Sequence, residues 1–296
     1  MTDITASMVK ELRELTGAGM MECKKALTEA KGDIQLAIDN MRKSGQAKAA
    51  KRAGRIAAEG VIIISTSRDS KVASMCEVNC ETDFVARDNS FRSFAELVSN
   101  TSLSLQTNDV TEVMSQSVTH DNGATCEIVR ETLVSKIGEN IQLRRVVTLT
   151  STGCVGYYLH GDRIGVLVAL DKNDAVLAKD IAMHIAATRP IAIDTNQLSE
   201  SVVAKEREII TAQAQTSGKP ANIIEKMVEG RLQKFAQEVC LVYQPFVKNP
   251  EQTVQSLLQA AKAKVLAFER FEVGEGIDKP TTNFADEVSA VIKGDA

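Results

Sequence analysis

The chain has 296 residues, of which 44% are hydrophobic and 25% charged, enough for two or more globular modules with their own cores and neither disordered nor fibrous. Tryptophan is absent and aromatics make up 4%, so the cores must rest on Val, Ile, Leu, Ala and Met, which favours helices and small sheets over a large β-sandwich. A net charge of −4 argues against nucleic acid as the main ligand, because phosphate binding requires a cationic excess, and makes a protein the expected partner.

Residues 1–60 carry eleven Lys and Arg against eight Asp and Glu, so any basic patch lies near the N-terminus. Met1-Thr2-Asp3-Ile4-Thr5 does not lead from a cationic segment into an apolar one, and no run approaches the roughly 18 apolar residues of a membrane span. Cys23, Cys76, Cys80, Cys126, Cys154 and Cys240 are spread too widely for a disulfide framework. The expectation is a soluble cytoplasmic protein with free, mostly buried thiols.

Three short helices are predicted over the first 45 residues. Met8, Val9, Leu12 and Leu15 give one apolar stripe, Cys23, Leu27 and Ala30 a second, and Ile34, Ala37, Ile38 and Met41 a third. Gly32 supplies a left-handed residue to end the second helix and Asp33 a cap for the third. From Gly45 to Gly60, Ala with Lys48, Lys51, Arg52 and Arg55 shows no broad apolar face and reads as a basic linker. Val61–Ile64 and Val72–Val78 read as paired strands across the turn Ser67-Arg68-Asp69-Ser70, followed by a helix with Asn89 or Ser90 as cap and Phe91, Phe94, Ala95 and Val98 inward. Residues 99–124 give no clear pattern. A helix through Ile128, Leu133, Val134 and Ile137 ends at Gly138, and residues 141–150 return to strand.

The strand-strand-helix pattern then recurs: Cys154–Leu159, the turn His160-Gly161-Asp162, Ile164–Leu170, and a helix with Val176, Leu177, Ile181 and Ile185. In this second half only Asp171-Lys172-Asn173 joins strand to helix. In the first, the junction runs from Asn79 to Asp88 and contains Thr82-Asp83-Phe84-Val85, an aromatic in a polar connection where no core requires one. Residues 199–239 read as a two-helix hairpin: Leu198, Val202, Ile209 and Ala212 give one stripe, Ser217-Gly218-Lys219-Pro220 the break, and Ile224, Val228, Leu232, Phe235 and Val239 the other. Pro245 and Pro250 frame a loop. A helix over Val254–Ala263, a strand over Lys264–Val273 and a terminal helix around Phe284, Val288 and Val291 complete the chain.

Enzyme chemistry finds little support. Gly218-Lys219 lacks the flanking residues of a phosphate loop, and Gly274-x-Gly276 lacks a third glycine. His120, His160 and His184 stand apart, and Cys76 with Cys80 is a lone pair, so neither metal nor cofactor is expected. Asp83 with Asp88, or Ser90 beside His160, matches no nucleophile motif, and Asp88 reads as a helix cap.

The run Met8–Leu27, containing Leu15-Thr16-Gly17-Ala18-Gly19-Met20-Met21-Glu22-Cys23, resembles the N-terminal signature of the elongation factor Ts family, and Glu77–Ala86 resembles its second signature. The likeness continues through Gly161–Val168, Lys226–Arg231 and Arg270–Gly276. It implies an α+β fold divided into a ubiquitin-associated-like three-helix domain with its basic linker (1–56), a core of subdomain N (57–140) and subdomain C (141–192 and 243–277) with small antiparallel sheets, an inserted antiparallel coiled-coil hairpin (193–242), and a C-terminal helical module (278–296). The function it implies is not enzymatic: a guanine nucleotide exchange factor that binds the GDP form of elongation factor Tu, dislodges Mg²⁺ and promotes GDP release without binding nucleotide itself. By the same resemblance Phe84 is a wedge near the partner's Mg²⁺ site, with Asp83 beside it and Thr82 and Val85 shaping the tip. Leu12, Arg13, Met20, Met21 and His160 are the candidate partner contacts. The competing classes are an RNA-binding module using Arg42, Lys43, Lys48, Lys51, Arg52 and Arg55, and a metal-free hydrolase around Asp83.

Overall fold

A computed structural model describes residues 4–16, 18–118, 123–216 and 220–278. Its first three helices are α1 (Ala6–Thr16), α2 (Met20–Glu29) and α3 (Ile34–Arg52), closed around Val9, Leu12, Cys23, Leu27 and Ala37. Gly32 takes the left-handed conformation at φ 89°, its N–H donating to the Leu27 carbonyl, and Asp33 accepts the Leu36 N–H at 2.9 Å to start α3. The chain therefore turns where the capping residues place the turn.

Of the segment read as a linker, residues 45–52 are the second half of α3, which runs unbroken to Arg52, and residues 53–58 connect it to the next strand. It needs no broad apolar face because its contact is made by small residues. Gly45 and Ala49, one turn apart, are buried against α7 (Cys126–Ile137), where a Cβ on Gly45 would meet the Glu131 carbonyl at an ordinary contact distance of 3.8 Å. Lys48 seals the rim, its ammonium 2.9 Å from Glu22 and 3.1 Å from the Ser135 hydroxyl.

The core has the tandem pattern expected of it. In the first half β1 (Glu59–Thr66), β2 (Val72–Cys80) and β3 (Gln142–Thr150) form an antiparallel sheet in the order β1-β2-β3. Between β2 and β3 come α4 (Asp83–Ala86), α5 (Asn89–Leu105), α6 (Val110–Ser115) and α7; the stretch that gave no clear pattern is thus the end of α5, then α6, with 119–122 outside the described residues. In the second half β4 (Cys154–His160) and β5 (Ile164–Leu170) are joined by β8 (Val265–Glu272) in the order β4-β5-β8, and α8 (Ala175–Thr188) follows β5.

The two sheets lie face to face over Ile62, Met75, Val147, Leu167 and Phe271. The outer face of the first is covered by Phe91, Phe94, Ala95 and Val98 of α5, and that of the second by Leu177, Ala178, Ile181 and Ile185 of α8. Because helices cover the outside and a sheet the inside, Ala73–Cys80 of β2 is buried along its whole length instead of at every second residue. Gly165 marks the closest approach, since a Cβ there would stand 2.5 Å from Ile62 Cγ2 and 2.7 Å from Met75 Sδ. At about 1.5–3 kcal/mol for each large apolar side chain taken fully from water, these three stacked interfaces supply the main stabilisation.

Between α8 and β8 the chain makes the predicted hairpin, α9 (Glu200–Gln215) and α10 (Ala221–Val239). On α10 the seam uses Ile224, Val228 and Leu232 of the predicted stripe, with Phe235 and Val239 half-buried outside it, and on α9 it uses Ile210 and Ala214; Ile209 and Ala212 face solvent. Adjacent isoleucines let either stripe be drawn, and the one whose members lie four apart beside Val228 and Leu232 prevails. The proline-framed loop is a two-stranded ribbon, β6 (Pro245–Phe246) with β7 (Asn249–Thr253), leading into α11 (Val254–Ala261). The predicted terminal helix around Phe284 lies outside the described residues. The architecture is α+β with small antiparallel sheets, and among the described residues no helix is long and apolar enough to cross a membrane.

Candidate functional site at the Phe84 turn

The long junction of the first half is a built structure. Where β2 ends, Thr82 adopts extended backbone and its hydroxyl accepts the Val85 N–H at 3.4 Å, capping the single helical turn α4. Val85 and Ala86 point down into the core shared with Cys80, Phe91 and Phe94. A one-turn helix buries only part of its circumference, so Phe84 is directed outward and is 80% exposed, whereas Phe91 is fully buried. Asp83 lies in the first turn and pairs with Arg87 at 2.9 Å, both at the surface. Asp88 then caps α5, accepting from the Ser90 and Phe91 amides at 2.8 and 3.2 Å.

Three groups fasten the turn from beneath. The Glu139 carboxylate accepts the Glu81 and Thr82 amides at 3.1 and 3.0 Å and the Thr82 hydroxyl at 2.7 Å. Glu81 accepts the Asn140 N–H at 2.6 Å and meets Arg55 at 3.4 Å. The Cys80 thiol donates to the Thr82 carbonyl at 3.2 Å; burial, with the nearby charges of Glu139 and Glu59, pushes this thiol up to about 12, so it stays protonated as the donor. Neither Glu139 nor Asn140 figured in the reading of the sequence. The only local signal was an acid after the helix-ending Gly138, and its partner lies 57 residues away in the chain.

The other predicted contacts divide. Arg13, Met20 and Met21 are exposed on the three-helix unit, Met21 at 78%. Leu12 is a correction: it is fully buried in that unit's core and presents no surface, whereas Leu15, assigned above to the inward stripe, is exposed. Three residues after Leu12, Leu15 has rotated to the edge of the stripe in the last turn of α1. His160 is exposed at the end of β4, its Nδ1 3.2 Å from the Tyr158 hydroxyl. The turn beyond it is tied to the first half by Arg92 to Asp162 at 2.9 Å and by the Ile62 N–H to the Asp162 carbonyl at 2.7 Å. Of the cations proposed for RNA, Lys48 and Arg55 are engaged by protein acceptors.

Fold and site together define an α+β scaffold that holds an aromatic, methionines and a histidine out to solvent on short, well-braced segments. The defining pattern of the family described as Elongation factor TS matches residues 81–275, from the base of the Phe84 turn to the glycines after β8. Proteins named Elongation factor Ts resemble the chain over its length: that of Thioalkalivibrio sulfidiphilus is 57% identical, covering 98% of this chain and 99% of the relative. Those of Coxiella burnetii and Legionella pneumophila are 56% and 51% identical, each over 99% of this chain and covering 99% and 100% of the relative. The chain belongs to the elongation factor Ts family.

Proposed function

We propose that this chain is a guanine nucleotide exchange factor that binds elongation factor Tu in its GDP form and speeds GDP release, with Phe84 as the wedge. The observation that carries this reading is the exposure of Phe84 on a capped turn whose Val85 and Ala86 are buried: a large apolar side chain held in water at 80% exposure on an ordered scaffold is suited to burial in a partner.

GDP in such a GTPase is held largely through its phosphates and Mg²⁺, so displacing the metal removes the strongest local charge compensation and nucleotide affinity collapses. The coupling is reciprocal: whatever ratio by which the factor weakens nucleotide, nucleotide weakens the factor, and incoming GTP expels it. No bond is made or broken on this chain, and nucleotide contacts only the partner. In this scheme Asp83 rearranges hydrogen bonds beside the wedge. The N-terminal unit docks through Arg13, Met20 and Met21, now with Leu15 in place of Leu12, and His160 reaches a second surface of the partner.

The test is to load elongation factor Tu with fluorescent GDP and follow its release with the intact chain and with Phe84→Ala. Acceleration by the intact chain that is largely lost in the variant is the expected result. No acceleration by the intact chain would overturn the exchange reading, and equal acceleration by both would overturn the wedge.

A further inference from the structure

We infer that Glu139 is a positioning residue for Phe84, setting the height and direction of the exposed ring through the hydroxyl that caps its turn; this rests on the exchange reading above. The sheet ladder of β2 ends at Cys80 and α4 begins at Asp83, so the Glu81 and Thr82 amides belong to neither element. Glu139 takes both on one carboxylate oxygen, at 3.1 and 3.0 Å. Its other oxygen takes the Thr82 hydroxyl proton at 2.7 Å, which leaves a lone pair of that hydroxyl directed at the Val85 N–H, the bond that starts the helical turn. Hydrogen bonds to a charged acceptor are about twice as strong as neutral ones, so a single side chain fixes the base of the turn.

Glu139 is itself held from both sides. Gly138 before it sits in the left-handed conformation that ends α7, its N–H on the Val134 carbonyl at 2.9 Å. Asn140 after it is buried, with its amide N–H on Glu81 at 2.6 Å and its side-chain NH₂ on the Arg55 carbonyl at 2.8 Å. The clamp therefore joins three segments remote in sequence, the exit of α3, the base of the Phe84 turn and the α7–β3 junction. A wedge acts through its geometry, and about 1 Å of misplacement at a reacting centre can cost on the order of a hundredfold in rate. Removing the carboxylate would leave Phe84 present and its height undefined.

The experiment uses the full chain with elongation factor Tu carrying fluorescent GDP, varying the concentration of the factor. For Glu139→Ala the release rate at saturation is expected to fall about tenfold or more, while the half-saturating concentration moves by less than about threefold, because Glu139 works through the turn and other surfaces hold the partner. Amide hydrogen exchange at residues 83–86 should quicken while that of α5 is unchanged. Glu139→Gln retains an acceptor oxygen and the native shape, and should fall between the alanine variant and wild type. A saturating rate for Glu139→Ala within about twofold of wild type, with Phe84→Ala slow, would overturn the inference, as would a loss confined to half-saturation. If the alanine variant does not fold, a wild-type saturating rate for Glu139→Gln overturns it instead. Phe84→Ala exchanging as fast as the intact chain would instead remove the wedge, and this inference with it; the amide exchange would still report whether Glu139 orders the turn.

Discussion

Phe84 and Val85 are neighbours in sequence with opposite physical circumstances, and truncating each should give opposite results. Phe84 is 80% exposed, so folding removes only about a fifth of its roughly 200 Å² from water. At about 25 cal/mol per Å² that is at most ~1 kcal/mol, before allowance for residual burial in the unfolded chain. Val85 is 9% exposed in the cluster with Cys80, Phe91 and Phe94, and truncation to Ala removes two methyl groups, costing about 1–3 kcal/mol with the cavity included. Urea unfolding followed by far-UV circular dichroism, compared at equal slope, should leave the Phe84→Ala midpoint close to wild type and lower that of Val85→Ala. The same two variants should reverse their order in nucleotide exchange. A loss of about 2 kcal/mol or more in Phe84→Ala would refute the reasoning, because it would mean the ring is part of the fold rather than held out from it.

Three further outcomes are expected. His184 is buried with its Nδ1 accepting the Val247 N–H at 3.2 Å and its Nε2 facing the Gln244 carbonyl oxygen at 3.0 Å, an arrangement that requires the neutral ring, and burial lowers its pKa. The unfolded chain therefore binds the proton more readily, so the contribution is complete above about pH 6.5 and declines as pH falls below it; across pH 5–8 the unfolding midpoint should fall more steeply toward acid in wild type than in His184→Gln. Glu77 is fully buried between Arg144 and Arg145 and also accepts the Gly274 N–H at 2.8 Å. Glu77→Ala should cost about 3 kcal/mol, the lower end for a broken buried pair because both guanidiniums retain some access to water, measured by the same urea titration. All six cysteines are free and buried, with the Cys76 thiol pushed up to about 12 by desolvation, so the native chain should resist a thiol-disulfide reagent that titrates six groups once urea is added.

Much of this architecture was legible because it is local. Capping at Asp33 and Asp88, the glycine ends at Gly32 and Gly138 and the repeated strand-strand-helix pattern are each written within a few residues. The exposed Phe84 was legible for the same reason, as an aromatic in a polar junction longer than its counterpart in the second half. What was hidden is long-range. The stripe of Gly45 and Ala49 has no amphipathic signature until α7 is laid against it, and Leu15 leaves its stripe only when the rest of the three-helix unit closes. The α9 seam depended on which of two adjacent isoleucines found Val228 and Leu232. Glu139 could not be found at all from a single stretch, since its meaning lies in two amides and a hydroxyl across the molecule.

The continuity of α3 has a consequence for association. One rod of 19 residues, about 28 Å long, is shared between the three-helix unit that carries Met20 and Met21 and the core that carries Phe84. Its far end is bonded through Asn140 to the base of the Phe84 turn. On the exchange reading proposed above, two patches fixed on one rigid frame would act as the arms of a chelate: once either engaged, the other would be presented at high effective concentration and need no further search. A flexible tether of the same length would leave the second patch to diffuse. The packing of α3 against α7 would thereby set how much of the second contact's ordering entropy has already been spent in folding.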